Sequence, residues 1–290
     1  MSTIPPAGQD PLNPEHAALP AQQQSPPSND PLVPASFGGW LGRVLGVVRR
    51  SFAQLAVLQM ITAAVSVVFG VVTALMTPDR AALRSQLESG APLTQHQISG
   101  LAASALISTI GILVMVVISA YVGSAAMFVV IRDAAGQPTT AAEGLRLGAG
   151  RALPMLGWGL LAGILAGIGF VLFILPGVYL MIVTIALAGV VVVVERAGIR
   201  RCFTLVNPRF LPTAGRVLLT ALASIVYFVI VFAVTGGFSP SSGVIGVVVR
   251  RILFIPGGVV GAAVAVVTYA ELRFHERGVN TGTLVAELSR

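Results

Sequence analysis

Three histidines and one cysteine are the side chains of this sequence best suited to bind a metal or to react covalently. The histidines are His16, His96 and His275, which lie near the N-terminus, in a loop and near the C-terminus. A metal centre needs three or four ligands close together, so this scatter predicts no metal site. Cys202 is the only cysteine, which excludes an intramolecular disulfide. We interpret it as a small side chain at an interface rather than a redox or lipidation site.

One glycine motif resembles a cofactor-binding fingerprint. The segment GWGLLA at 157–162 matches the GxGxxA pattern, whose glycines allow a dinucleotide to approach the backbone closely. A functional fingerprint also requires a preceding strand and a later acidic residue that binds the ribose. Neither is present, and the segment begins an apolar helix instead. No nucleophile has a neighbouring base either, so we predict a non-enzymatic protein with no cofactor.

The composition places the chain in a membrane. Hydrophobic residues make up 55% of the sequence, charged residues only 10%, and the mean hydropathy is +0.89. Soluble domains carry about 25% charged residues, so this surface requires contact with lipid. The net charge of +7 is the balance of 18 basic residues, all of them arginine, against 11 acidic ones. Because the arginines flank apolar segments, the predicted partner is the anionic lipid headgroup rather than nucleic acid.

Six apolar segments predict an all-α, polytopic membrane protein. Each approaches or exceeds the roughly 20 helical residues that cross a hydrocarbon core of about 30 Å, and the alternation typical of a barrel is absent. The segments lie near 53–75, 105–129, 154–174, 177–194, 217–235 and 252–271. Paired in order, they form three hairpins. Inside the six apolar segments, short of their ends, there is no Asp, Glu, Arg, Lys or His, which disfavours ion-coupled transport.

Polar stretches flank the six-helix domain, which we place at 36–272. Residues 1–35 contain nine of the 18 prolines and a glutamine run, a composition that predicts a disordered cytoplasmic tail. Its composition is unlike a cleavable signal peptide, and it is a candidate binding segment for a protein partner. Residues 273–290 are predicted to form a short cytoplasmic tail.

The distribution of arginine predicts the orientation in the plasma membrane. If the N-terminus is cytoplasmic, the inner segments hold 14 arginines and the outer segments hold 4. Inner loops carry an excess of positive charge in membrane proteins. Both termini are therefore predicted to be cytoplasmic.

Three inner segments mix arginine with apolar residues and precede a hairpin. They lie at 36–52, 139–153 and 195–210. An amphipathic basic stripe with an aromatic, as around Trp40, is typical of a helix in the membrane interface. The unit is thus predicted to be an interfacial helix plus a transmembrane hairpin, used three times. The predicted headgroup contacts are Arg43, Arg49, Arg50, Arg146, Arg151, Arg196, Arg200, Arg201 and Arg209.

Two local patterns predict helix starts, and two groups of arginines leave their own placement open. Thr140 with Glu143, and Thr94 with Gln97, match the capping-box spacing. In the third basic segment, the arginines either all contact headgroups, or some turn inward and pair with Glu195 to hold the fourth and fifth helices together, and we favour headgroups. They are Arg196, Arg200, Arg201 and Arg209. Arg250 and Arg251 follow an apolar run on the predicted outer side. Residues 243–256 are therefore interfacial, re-entrant or part of the sixth helix.

Small residues at four-residue spacing predict close helix packing, because packing rather than hydrophobicity holds helices together in lipid. They are Gly159, Gly163 and Gly167 in the third segment, and Gly257, Gly261 and Ala265 in the sixth. We favour contacts within the chain over a homodimer face.

The stretch Ile174–Phe210 resembles a bacterial six-helix membrane domain. Its matching elements are Leu175-Pro176-Gly177, Glu195, Arg200-Arg201 and Leu205-Val206. The resemblance is to the family named after the membrane-anchored glycerophosphoryl diester phosphodiesterases, with the related YciC-type proteins. It implies a bacterial plasma-membrane domain without the catalytic barrel of the phosphodiesterases.

The sequence leaves two functions open for this protein. The leading prediction is a non-enzymatic integral membrane protein that organises or senses lipid, or that scaffolds a partner. The alternative is a permease for a neutral or lipid-like substrate, with polar residues of the first and second helices lining its path. A polar cavity at mid-membrane would favour the permease, and a closed apolar bundle would favour the scaffold.

Overall fold

The computed structural model describes residues 29–77, 80–90, 92–185, 194–235 and 243–289. Every regular element in these ranges is a helix, as the sequence predicts. The helices are α1 (Phe37–Met76), α2 (Arg80–Glu88), α3 (Gln95–Ala134), α4 (Ala141–Leu172), α5 (Ile174–Leu180), α6 (Ile199–Val206), α7 (Phe210–Val234), α8 (Gly243–Leu253), α9 (Ile255–Arg277) and α10 (Thr281–Leu288). A π-helical turn, Met181–Ile185, extends α5, and the 3-10 turn Asn207–Arg209 joins α6 to α7.

Five stretches are long and apolar enough to cross a bilayer, which fits an integral membrane protein. They are Phe37–Met76, Gln95–Ala134, Ala141–Leu172, Ile199–Val234 and Ile245–Arg277. Each coincides with one of the predicted segments. The remaining predicted segment, 177–194, is described only to Ile185, where the shorter apolar helix Ile174–Thr184 occupies it. Residues 186–193 lie outside the described part of the chain.

The first two basic segments are not separate interfacial helices. Each is continuous with the membrane segment that follows, in the single helices α1 and α4. Trp40, at the start of α1, is buried, and its indole nitrogen donates a hydrogen bond to the Thr268 hydroxyl of α9 at 3.1 Å. No break separates the two parts of either helix, because helix propagation costs little once a helix has nucleated. Trp40 and Val44 therefore pack against protein instead of lying on lipid.

The buried core lies at one end of the bundle, which we name the basic end. It is formed by the start of α1, the end of α3, the start of α4, α6, the end of α9 and α10. Every residue from Ser124 to Ile131 in α3 and from Val266 to Phe274 in α9 is buried. In the other half of α3 most side chains, such as Leu106 and Leu113, are well exposed. That half of α3 therefore exposes apolar side chains that can contact lipid.

Specific hydrogen bonds join the helices at the basic end. The Ser51 hydroxyl of α1 donates to the Asp133 carboxylate of α3 at 2.6 Å, and the side chain of Gln54 accepts from the Ala141 amide at 2.9 Å. The second of these satisfies one of the amides that a helix N-terminus leaves without a partner. The predicted capping boxes at Thr94 and Thr140 are both present.

Residues 30–33 belong to the fold, although the sequence predicts a disordered tail up to residue 35. Leu32 and Val33 are fully buried, because an apolar pair gains free energy by leaving water. Asp30 accepts hydrogen bonds from their amides, and from the amide and hydroxyl of Thr281 at 2.9 and 2.6 Å. The predicted C-terminal tail is likewise ordered, since it contains the end of α9 and all of α10. Residues 1–28 lie outside the described ranges.

Close helix packing uses other glycines than the predicted ones. A Cβ atom on Gly148 would lie 2.7 Å from the backbone nitrogen of Ala125 in α3, and one on Gly144 would also clash with α3. No described atom lies within 4 Å of a Cβ built on Gly159, Gly163, Gly167 or Gly261, and one on Gly257 would reach only the Tyr227 ring, at 4.0 Å. None of the predicted glycines therefore marks a close approach between the described helices.

Residues 243–253 form the helix α8, which meets α9 at Phe254, so residues 255 and 256 are the first two of α9. α8 packs on α1, where a Cβ on Gly70 would lie 3.1 Å from the Val247 side chain. The hydroxyl of Tyr227 donates a hydrogen bond to the Leu253 carbonyl at the joint. α8 and α9 together form one apolar stretch whose helix is interrupted at Phe254.

Candidate functional site

A network of charged side chains lies at the centre of the basic end. Glu195 accepts a hydrogen bond from the Tyr269 hydroxyl at 2.6 Å, and forms ion pairs with Arg273 and Arg201 at 2.7 Å each. Burial raises the pKa of Glu195, but the hydrogen bonds from Tyr269, Arg273 and Arg201 outweigh it and hold that pKa below its ordinary value. Glu195 is therefore a charged structural centre.

The network extends to two further helices. Arg201 also binds both carboxylate oxygens of Glu276 on α9, and Arg273 binds Glu287 on α10 at 2.8 Å. Bidentate arginine–carboxylate pairs fix geometry as well as adding free energy. The network thus joins the segment before α6 to α6, α9 and α10.

This geometry corrects the prediction for Arg201. Its guanidinium binds carboxylates of the protein, as in the alternative that the sequence left open. The sequence indicated Glu195 as a partner but missed Tyr269, Arg273, Glu276 and Glu287. The sequence held one signal of this network: Tyr269 and Arg273 are four residues apart and so lie on one helix face.

The other predicted headgroup arginines are mostly on the surface. The exposed ones are Arg49, Arg50, Arg146, Arg196, Arg200 and Arg209, while Arg43 and Arg151 are half-buried. Arg196 has a left-handed backbone, with φ of 53°, and α6 begins only at Ile199. Arg196 and Arg200 therefore do not lie on one face of a common helix.

Arg151 and Arg196 line a common cleft of about 410 Å³. The Trp158 ring forms one wall and packs against Gly198, where any Cβ atom would overlap the ring. Two guanidinium groups beside one cleft favour an anionic group between them, since a phosphate can accept hydrogen bonds from both.

A second buried ion pair joins α7 to α9. Arg216 and Glu271 are 2.6 Å apart, with side chains only 8% and 7% exposed. Arg216 Nε and Glu271 Oε2 have no hydrogen-bond partner among the described residues. The Arg216 guanidinium lies 5.9 Å from the centre of the Phe37 ring, and His275 Nε2 is 4.0 Å from Glu271. This pair holds the start of α7 against the bundle.

An apolar groove of about 700 Å³ lies between α7 on one side and α1 and α9 on the other. At its basic end the walls are Trp40, Leu41 and Leu219, one helical turn from Arg216. At its far end Phe228 stacks on Phe254, with ring centres 5.5 Å apart. α7 is thus attached at both ends of the groove and separated from its neighbours along the middle.

A second cavity, of about 680 Å³, lies between α1, α3 and α8. Four hydroxyl residues line it, together with Met115, Val116 and other apolar side chains and two arginines of α8. The hydroxyl residues are Ser66, Thr73, Ser108 and Ser119. Ser66 and Ser119 are near the middle of the predicted spans.

Metal ligands and the cysteine were the other candidates for chemistry. No group of three or more His, Cys, Asp or Glu residues is positioned to hold a metal ion within the described ranges. Cys202 is fully buried in α6, which agrees with its interpretation as a packing residue.

Comparisons with models of protein families, with curated proteins and with solved structures found no match. The resemblance of Ile174–Phe210 to the six-helix membrane domain therefore stays a prediction.

Proposed function

We propose that this chain is a non-enzymatic integral membrane protein that binds lipid, and that its groove between α7 and the α1–α9 pair takes an acyl chain. The observation that carries the proposal is the groove itself. It is lined mostly by apolar and aromatic side chains, with the hydroxyls of Thr220 and Ser224 among them. Its volume lies within the usual range of about 300–1,000 Å³ for small-ligand sites, and α7 borders it as a helix with an exposed apolar surface.

The attachment of α7 supports an acyl chain as the occupant. The Arg216–Glu271 pair holds one end of α7, and the Phe228–Phe254 stack holds the other. A lipid chain entering sideways between these attachments would restore the van der Waals contacts that the gap leaves unmade. Binding would therefore require no rearrangement of the two attachments.

The surface charge supports anionic headgroups as the polar partner. Six exposed arginines and the Arg151–Arg196 cleft all lie at the basic end. Each arginine near an anionic leaflet gains about 1 kcal/mol. A bilayer rich in anionic lipid would hold this end at its headgroup level.

We further propose a topology of six crossings with the basic end cytoplasmic, in a bacterial plasma membrane. The 14-to-4 division of arginines supports it, and so does the contact of Asp30 with Thr281, which brings residues near both termini to one end. Cysteine labelling at Ser85 and Ser289, in a C202A background, tests the topology. Labelling of both positions from one side of the membrane would contradict it.

A photoactivatable phospholipid tests the lipid site in the purified full-length protein. We expect crosslinks to map to the groove walls on α1, α7 and α9. Ala223→Trp fills the groove and should reduce these crosslinks to background. Leu222→Trp is the matched control, because Leu222 is exposed on the same helix but does not line the groove.

The proposal fails if Ala223→Trp leaves labelling of the groove walls unchanged, or if Leu222→Trp reduces it equally. The size-exclusion profile and thermal unfolding of both variants must match those of the unsubstituted protein.

A permease for a lipid-like substrate is the second candidate, and the hydroxyl-lined cavity between α1, α3 and α8 favours it. Reconstituted vesicles loaded with a labelled lysolipid would distinguish the two functions. Release that depends on the protein and is lost in Val116→Trp would support transport. Binding without release would support lipid binding alone.

A further inference from the structure

The end of the bundle opposite the basic end carries an adjacent pair of arginines, Arg250 and Arg251, near the end of α8. Together with Val247 they line the cavity between α1, α3 and α8. Residues three and four apart share a face of a helix, so one face of α8 presents both charges to the cavity.

Neither arginine is neutralised by the described protein. No described carboxylate lies within 4 Å of either guanidinium, in contrast to Arg201, Arg216 and Arg273. Arg250 is instead 4.7 Å from the centre of the Phe232 ring, a cation–π contact. The C-terminal end of a helix favours cations, which explains one charge at this place but does not neutralise two. An anion at the cavity mouth would.

The cavity wall is charged on one side and largely apolar on another. The arginines lie on α8, whereas Ile112, Met115 and Val116 follow one face of α3. Such a wall fits a molecule with a charged head and an apolar chain. A volume of about 680 Å³ is within the usual range for ligands of drug size, which favours one chain over a whole two-chain phospholipid.

We propose that this cavity binds a single-chain amphiphile with an anionic head, the head between Arg250 and Arg251 and the chain along α3. The site is independent of the groove at α7, because it uses other helices and other charges. Hydroxyls such as Ser108 supply secondary hydrogen-bonding positions for the ester or carboxyl region.

Palmitate binding to the purified protein in phosphatidylcholine nanodiscs tests this proposal. Arg250→Gln/Arg251→Gln should weaken binding by about tenfold or more, since charge-assisted hydrogen bonds are lost. The matched control is Arg49→Gln/Arg50→Gln, an exposed adjacent pair at the basic end, which should bind as before. Arg250→Lys/Arg251→Lys keeps both charges and should retain most of the affinity.

The chain portion is tested separately. Val116→Trp fills the cavity and should abolish binding, while Val117→Trp, an exposed neighbour outside the cavity, should not. Uncharged monopalmitoylglycerol should bind at least tenfold more weakly than palmitate.

Three results would each overturn the proposal. They are equal binding of palmitate and monopalmitoylglycerol, an equal loss in both arginine-pair variants, and full binding by Val116→Trp. If the Arg250/Arg251 glutamine variant does not fold, the comparison of palmitate with monopalmitoylglycerol and the two valine variants still decide the matter. Ala223→Trp should leave unchanged the part of palmitate binding that depends on Arg250 and Arg251, so failure of the lipid groove and failure of this site are distinguishable.

Discussion

Neighbouring arginines in α6 should differ sharply in what they contribute to stability. Arg201 binds Glu195 at 2.7 Å and both oxygens of Glu276, and its side chain is 16% exposed. Arg200 is exposed and forms no ion pair with the described carboxylates. Arg201→Gln should therefore destabilise the protein in neutral detergent, and Arg200→Gln should not.

The magnitude follows from what remains after the change. Glu195 keeps Arg273 and Tyr269, so it is not left without partners, whereas Glu276 loses its bidentate partner. Removing one member of a fully buried pair costs about 3–5 kcal/mol, and partial exposure reduces this. We expect a loss of about 2 kcal/mol for Arg201→Gln, and less than about 0.5 kcal/mol for Arg200→Gln.

The single cysteine supplies the assay. Cys202 is fully buried, so a thiol-reactive fluorophore should label it only as the protein unfolds. On the scale of soluble proteins, a 2 kcal/mol loss lowers the unfolding temperature by roughly 4–8 °C. Tryptophan fluorescence gives an independent measure, because Trp40 is buried in the same core. Equal unfolding temperatures for the two variants would refute the assignment of Arg201 to the ion network.

Further predictions concern pH, packing and the N-terminal segment. The pKa of Glu195 is lowered in the folded state. Its contribution to the free energy of unfolding is therefore present above the ordinary glutamate pKa of about 4.3 and is lost as the pH falls below that value. In acid titrations monitored by unfolding, Glu195→Gln should make stability depend less steeply on pH. Gly148→Ala should destabilise by about 1–3 kcal/mol because α3 fills the space, whereas Gly163→Ala should be neutral or stabilising by up to about 1 kcal/mol, as thermal melts can show. Deletion of residues 1–35 should lower thermal stability more than deletion of 1–28, because only the longer deletion removes Asp30, Leu32 and Val33.

Local features of this protein were predictable from sequence because they depend on neighbouring residues. The capping boxes at Thr94 and Thr140 are formed by side chains three residues apart, and the apolar segments meet a length requirement set by the bilayer. The helical class and five of the six predicted segments follow from these two kinds of local information.

Contacts between helices were not predictable, since they depend on how each helix is rotated about its axis. Gly144 and Gly148 have the same four-residue spacing as Gly159 and Gly163, yet only the first pair is against α3. Both spacings satisfy the packing rule. The tertiary arrangement decides which one is used.

The rotation of a helix about its axis also decides which arginines are exposed and which are paired within the protein. Composition and the positive charge bias indicated a basic end, and the sequence assigned its arginines to lipid as a group. Arg200 and Arg201 are about 100° apart around α6, so one is exposed while the other binds Glu195 and Glu276. Sequence alone determined that charge accumulates at this end. Only the tertiary structure, by bringing α9 alongside α6, decided which arginines bind carboxylates of the protein and which remain exposed.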